Sequence, residues 1–213
     1  MLLVRSLLFY LGQIISTLLF APVCVIVFPL KFNARYYLVT RWTVFNLWWL
    51  RICCGVYYEI KGQEHIPQQA GIVMCKHQSA FETLALQLIF IPQVWILKRE
   101  LLKIPIYGWG LASMQPIAID RGSAIKSFRQ IVQQGCIRLQ QKRWVIIFPE
   151  GTRIAPGQKG EYLPGGGMKK PCKITLDISP LIETKGKSAK QITREVENWI
   201  ETTVKTLPNP TAD

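Results

Sequence analysis

"PIAIDRGSAIKSFRQIVQQGCIRLQQKRWVIIFPEGTR" (Pro116–Arg153) sets a long periodic segment between two short apolar runs. "PIAID" and "WVIIFP" read as strands buried on both faces. From Ser123 to Lys142 the residues Ile125, Phe128, Ile131, Val132, Cys136 and Leu139 recur at helical spacing, and Ser123 can cap the helix. Strand, helix and strand in succession imply a parallel sheet. The pattern extends outward. "GIVMC" and "VWILK" are earlier strands, and "KITLDIS" alternates like a later one. Ser188–Val204 reads as a helix, with a Ser188-x-x-Gln191 capping box and an apolar face of Ile192, Val196, Trp199 and Ile200. The fold class expected is α/β, a largely parallel sheet flanked by helices.

The start of the chain is of another kind. Ser6 to Leu30 carries no charge, and about 20 apolar residues suffice to cross a bilayer core. Pro22 and Pro29 are expected to kink or end that helix. The next segment, "YYLVTRWTVFNLWWLRICCGVYY", mixes Trp42, Trp48, Trp49, Tyr57 and Tyr58 with Arg41 and Arg51. Amphipathic aromatics and snorkelling arginines suit the headgroup boundary. Residues 5–55 therefore read as a membrane-embedding helical hairpin, the alternative being a hairpin buried in a core. Lys31, Arg35, Arg41 and Arg51 favour a cytoplasmic location for the rest of the chain. The division expected is a membrane-associated hairpin over 1–55, an α/β domain over 56–206 and a frayed tail over 207–213.

Composition agrees. The chain has 213 residues, enough for one α/β domain and an appendage; 26 basic and 13 acidic residues leave a charge of +13, and 49% of the residues are hydrophobic. A basic, greasy chain suits an anionic membrane surface. Nucleic acid is not the expected partner, because the basic residues are scattered and nucleic-acid binding needs no such apolar surface. The six cysteines (Cys24, Cys53, Cys54, Cys75, Cys136 and Cys172) include no C-x-x-C pair. With two histidines the usual zinc patterns cannot be completed. Several cysteines lie in apolar runs and read as reduced thiols.

"MCKHQSAFETLAL" (Met74–Leu86) holds one of the two histidines, five residues before Glu82. Two readings of it stand side by side. Ser79-x-x-Glu82 ahead of an apolar helix is a capping-box pattern, which would account for Glu82 alone. In the other reading the helix starts at Ser79, His77 lies outside it, and the turn folds the imidazole back toward Glu82. Open α/β sheets place ligands at the carboxyl ends of their strands, and a carboxylate there suits a general base acting on an alcohol. "IAIDRGSA" and "IIFPEGTR" then bring Arg121, and Glu150, Gly151, Thr152 and Arg153, to the same end of a parallel sheet. Two guanidiniums beside helix starts can grip a phosphate; the alternative is a pair of surface arginines in exposed turns.

Together these residues resemble the lysophosphatidic acid acyltransferases, or 1-acyl-sn-glycerol-3-phosphate acyltransferases, of the bacterial PlsC type. The first family motif, His-x4-Asp with Glu as a variant, matches His77 and Glu82 (HX4E). The second, an arginine after a strand, matches Arg121 in "IDRG". The third, Phe-Pro-Glu-Gly-Thr-Arg, stands unbroken at Phe148–Arg153, and "LKREL", ending at Leu101, is also family-like. The resemblance runs from the hairpin to about Gly160. It implies transfer of a fatty acyl group from acyl-CoA or acyl carrier protein to the 2-hydroxyl of 1-acylglycerol 3-phosphate, giving phosphatidic acid for phospholipid synthesis. His77 would deprotonate that hydroxyl, and Glu82 would orient and charge-balance the imidazole. Arg121 and Arg153, with Thr152, would hold the acceptor's phosphate, in a loop shaped by Glu150 and Gly151. Neither a metal nor another cofactor is implied. The implied location is the bacterial inner membrane, with the site facing the cytoplasm.

The resemblance breaks at the family's fourth motif, an apolar strand with prolines that follows a helix. Here "YLPGGGMKKPCKITLDIS" leads almost at once to the last strand. The expectation is an internally shortened member with a lost helix-plus-strand unit and an unpaired strand edge. That leaves a runner-up function, a catalytically impaired, membrane-bound remnant that only binds lipid phosphate. A further rival uses Cys75 as a nucleophile beside His77, since residues i and i+2 share a face of a strand.

Overall fold

The computed structural model describes residues 1–120, 122, 124–150 and 168–207. Two long helices open it, α1 (Leu2–Ile26) and α2 (Phe32–Cys54). They pack side by side in opposite directions. Arg5 Nε donates to the Cys53 carbonyl at 2.7 Å, and Trp49 Nε1 to that of Leu8 at 3.3 Å. Gly12 makes this approach possible, because a Cβ there would lie 2.1 Å from Trp49 Nε1. Pro22 does not end α1, which runs on to Ile26 and stops before Pro29. Gly55 ends α2 with φ of +66°, its N–H bonded to Arg51 O, the left-handed stop that glycine takes without strain.

After the hairpin come β1 (Val56–Lys61), β2 (Ile72–Met74), α3 (Phe81–Ile89), β3 (Gln93–Lys98), α4 (Tyr107–Ser113), β4 (Ile117–Ile119), α5 (Ala124–Gln140), β5 (Trp144–Ile147), β6 (Cys172–Asp177) and α6 (Ala189–Thr206). Every strand pair is parallel. Four strands form one sheet in the order β2-β5-β3-β4, while β1 and β6 pair apart from it. Among the described residues, β2 and β4 are therefore the edges of the larger sheet, and the parallel framework is in two pieces. The α/β architecture with a leading hairpin is as expected. β1 is an addition, since "VYYEIK" lacks the apolar run that marks the other strands.

Period-two alternation sorts the sheet's side chains between two cores. Val94 and Val145 join Ile117 and Ile119 on the α5 side, against Ile131 and Leu139. Trp95 and Ile146 face the hairpin, against Cys24, Val27, Tyr36 and Val39. The hairpin is thus half core and half exterior. Its inner residues Phe9, Leu47, Leu50 and Cys54 pack with Phe81 and Ala85 of α3, while Leu7, Leu11, Ile14, Leu18, Trp48 and Ile52 are exposed. Among the described residues α1 is the one helix long and apolar enough to cross a membrane, by length and composition.

Two details depart from the sequence reading. Arg35 does not stay at the surface with Arg41 and Arg51. It is 3% exposed and donates to the Phe28 carbonyl just past the end of α1, where the helix dipole favours a cation. On α5, Ile131 and Leu139 turn inward, but Ile125, Phe128, Val132 and Cys136 are exposed. The helix is rotated so that Ser127 donates to Asp120 O and Gln130 Nε2 to Ala118 O at 2.8 Å, satisfying carbonyls at the end of β4. The proposed cap at Ser123 and the tail from 208 onward lie outside the described residues. The six cysteines are free thiols, as expected.

Candidate active site

Parallel strands send all their carboxyl ends to one side. The turn after β2 carries Cys75, Lys76 and His77, and the turn after β5 carries Phe148, Pro149 and Glu150. Cys75 N–H extends the β2–β5 ladder by bonding Ile147 O at 3.0 Å. His77 is then fixed at two places. Its backbone N–H donates to Glu150 Oε2 at 2.9 Å. Its ring stacks on Phe148, with centroids 4.2 Å apart and planes 25° apart. The first and third motifs therefore meet, 73 residues apart in sequence.

Glu82 lies in the first turn of α3 and is 7% exposed. Its carboxylate accepts from Gln78 N–H at 2.9 Å, from Ser79 N–H at 2.9 and 3.0 Å, and from the Ser79 hydroxyl at 2.8 Å. Half of the capping box is thus realised, the Glu-to-Ser half. The other half is replaced, since the Ser79 hydroxyl accepts from Phe81 N–H at 3.0 Å, one residue earlier than the pattern requires. Burial pushes the Glu82 carboxyl up, against the bonds from Ser79 and Gln78, which pull it down. The turn that presents His77 is fastened by this one side chain.

Lys76 is the charged residue the motifs did not flag. Its ammonium lies 2.6 Å from Glu201 Oε1 of α6 and 3.4 Å from Glu150 Oε1, with the side chain 9% exposed. Burial lowers its pKa, but Glu201 and Glu150 outweigh that and the net direction is upward. Glu150 thus gives one oxygen to Lys76 and the other to the amide of His77. Cys75 is a poor nucleophile here. Burial, with Glu82 and Glu150 nearby, pushes its thiol up to about 12, and a thiol that high holds almost no thiolate near neutral pH. Arg121, Gly151, Thr152 and Arg153 lie outside the described residues. Among the described residues no group of three or more His, Cys, Asp or Glu is placed to hold a metal.

A cavity of about 740 Å³ opens beside His77, within the roughly 300–1,000 Å³ range of ligand pockets. His77, Ala80 and Phe148 line it, with Phe20 and Cys24 of α1, Trp42 of α2 and Met114 just past α4. Gln13, Thr17 and Thr43 are polar exceptions in a mostly apolar lining; Thr43 Oγ1 donates to Gln87 Oε1 at 2.9 Å. No sequence signal could have found this space, because it exists only between the hairpin and the sheet.

The arrangement is a histidine at the end of a parallel sheet, beside an apolar chamber. Comparison with known proteins gives matches of sequence and of fold. The acyltransferase family model matches residues 58–170, from β1 to just before β6. A 1-acyl-sn-glycerol-3-phosphate acyltransferase of Pseudomonas aeruginosa is 42% identical over 165 residues, 76% of this chain and 64% of that protein. One from Helicobacter pylori is 32% identical over 114 residues, 53% of this chain and 48% of that protein. The chain thus spans less than two thirds of the length of these relatives. The crystal structure of the 1-acyl-sn-glycerophosphate (LPA) acyltransferase PlsC from Thermotoga maritima superposes with a TM-score of 0.74 at 20% identity, covering 97% of each chain. That likeness concerns the fold, hairpin and sheet alike. The family match takes in β2, β5 and both turns that meet at His77, and this chain belongs to the acyltransferase family.

Proposed function

We propose that the chain moves a fatty acyl group from an acyl thioester, on coenzyme A or acyl carrier protein, to the 2-hydroxyl of 1-acylglycerol 3-phosphate, giving phosphatidic acid. The observation that carries this reading is the position of His77, held at the sheet's carboxyl end beside an apolar chamber that the hairpin helps to enclose. His77 takes the proton of the attacking hydroxyl. The alkoxide adds to the thioester carbonyl, the thiolate leaves, and the proton passes to it. Glu82 orients and charge-balances the imidazole, a role supported by its grip on the turn. Arg121, Arg153 and Thr152 hold the acceptor's phosphate, Gly151 lets that loop turn closely, and Glu150 shapes it. The chamber takes the acyl chain. Direct transfer of this kind calls on no resident metal or cofactor. The location that fits is a bacterial inner membrane, entered by the exposed face of α1, with the site on the cytoplasmic side.

The test is turnover of radiolabelled lysophosphatidate with acyl-CoA by membranes carrying the chain. His77→Ala should cut turnover by roughly 10²–10⁴-fold, the usual share of a general base, and leave lipid binding intact. A His77→Ala chain that keeps its turnover would sink the reading. The other function expected from the sequence, a remnant that binds lipid phosphate without transfer, makes the opposite prediction. Binding by the wild-type chain with no turnover above empty membranes would select it.

A further inference from the structure

The two charged residues that lock the turn beside His77 belong to no motif. Glu201 sits near the end of α6, 125 residues from Lys76. Its carboxylate meets the Lys76 ammonium at 2.6 Å, that ammonium meets Glu150 Oε1 at 3.4 Å, and Glu150 Oε2 accepts the His77 N–H at 2.9 Å. The Lys76 side chain is 9% exposed and Glu150 21%, so water screens this part of the row weakly. Without the ammonium, two carboxylates would face one another across it. Glu150 would then turn toward solvent and release the amide it holds.

We propose that Lys76 and Glu201 are positioning residues for acyl transfer: the C-terminal helix sets where the His77 backbone sits, through Glu201, Lys76 and Glu150 in series. The inference rests on the acyltransferase reading above. A displacement of about 1 Å at a reacting group can cost roughly a hundredfold in rate, so the effect belongs in kcat. The acyl donor is not held by this row, so its KM stays, whereas the KM for lysophosphatidate can follow Glu150.

The experiment uses the purified full chain in lipid vesicles, with kcat and KM measured for lysophosphatidate and for acyl-CoA. Lys76→Met should lower kcat about 10- to 100-fold with the KM for acyl-CoA within about twofold, and Glu201→Gln should lower kcat about 3- to 10-fold. Lys76→Arg should recover most of the rate. The double variant should be no slower than Lys76→Met alone, because residues acting in series are non-additive. A second readout needs no turnover. The chain has two histidines, so ¹⁵N-histidine labelling gives two amide signals. Glu201→Gln, remote from His77 in sequence, should move the His77 signal and leave that of His65, whose ring bonds Ile178 O at 2.8 Å. An unmoved His77 amide, wild-type kcat in Lys76→Met, or additive losses would each overturn the proposal. If Lys76→Met does not fold, Glu201→Gln decides alone, since its carboxylate is 46% exposed. If the wild-type chain shows no turnover, the acyltransferase reading fails and the amide signals still decide the series.

Discussion

Glu82 fastens the turn that leads from His77 into α3. Gln78 N–H, Ser79 N–H and the Ser79 hydroxyl all converge on its carboxylate. A glutamine in its place offers one acceptor oxygen and an NH₂ that faces donors. Glu82→Gln should therefore cost about 1–3 kcal/mol, the penalty of leaving a buried donor unmet, read as a lower Tm in detergent. The pH dependence has a definite sign. Burial raises this carboxyl above the ordinary 4.5, so its contribution is complete below that value and is lost as pH rises through the folded pKa. The Tm gap between wild type and Glu82→Gln should narrow with rising pH; a widening gap would mean that the hydrogen bonds outweigh burial. Both sequence readings of this stretch used the same residues, which is why spacing alone left them open. A loop that caps a helix and a loop that presents a base need the same anchored carboxylate. Lys76 stayed illegible beside them, because one of its partners lies 125 residues away and proximity of that kind is made only by folding.

Elements were legible where their side chains repeat and less so where packing chose among faces. The run "WVII" at the centre of the sheet is largely buried, and the Ser188–Gln191 capping box forms as the spacing requires. The orientation of α5 was decided by strand-end carbonyls that draw in Ser127 and Gln130, which no apolar periodicity reports. β1 hid because "VYYEIK" carries no apolar run, with little of it buried. In the hairpin the deciding residue is small. Gly12 leaves room for the Trp49 ring, and helix contacts of this kind depend on small residues. Gly12→Val should force the two helices apart and cost about 1–3 kcal/mol. Blue- or red-shifted tryptophan emission with a lower Tm would register it, while unchanged emission and Tm would show that the ring moves aside freely.

At the scale of the molecule the hairpin and the sheet make a chamber that neither possesses alone. Gly110 of α4 lies on its wall, and a Cβ there would meet nothing closer than Cys24 Sγ at 3.8 Å. Gly110→Leu can thus extend into the space without disturbing backbone, and a helix interior gains about 1 kcal/mol from losing a glycine. With less room, the longest acyl-CoA donors should lose about tenfold in kcat/KM relative to short ones, the scale of one methylene in an apolar pocket. Equal losses at every chain length would place the acyl group elsewhere. The same geometry reaches further. α1 turns Gln13, Thr17 and Cys24 to the chamber and Leu11, Ile14 and Leu18 outward. If the chamber takes the acyl chain and α1 enters a bilayer, as proposed, the partition between cargo and surrounding hydrocarbon is a single helix, about 10 Å across. Whatever thins, stiffens or crowds such a bilayer would then lean on that partition, and the lipid phase would become a tuning surface for what fits inside.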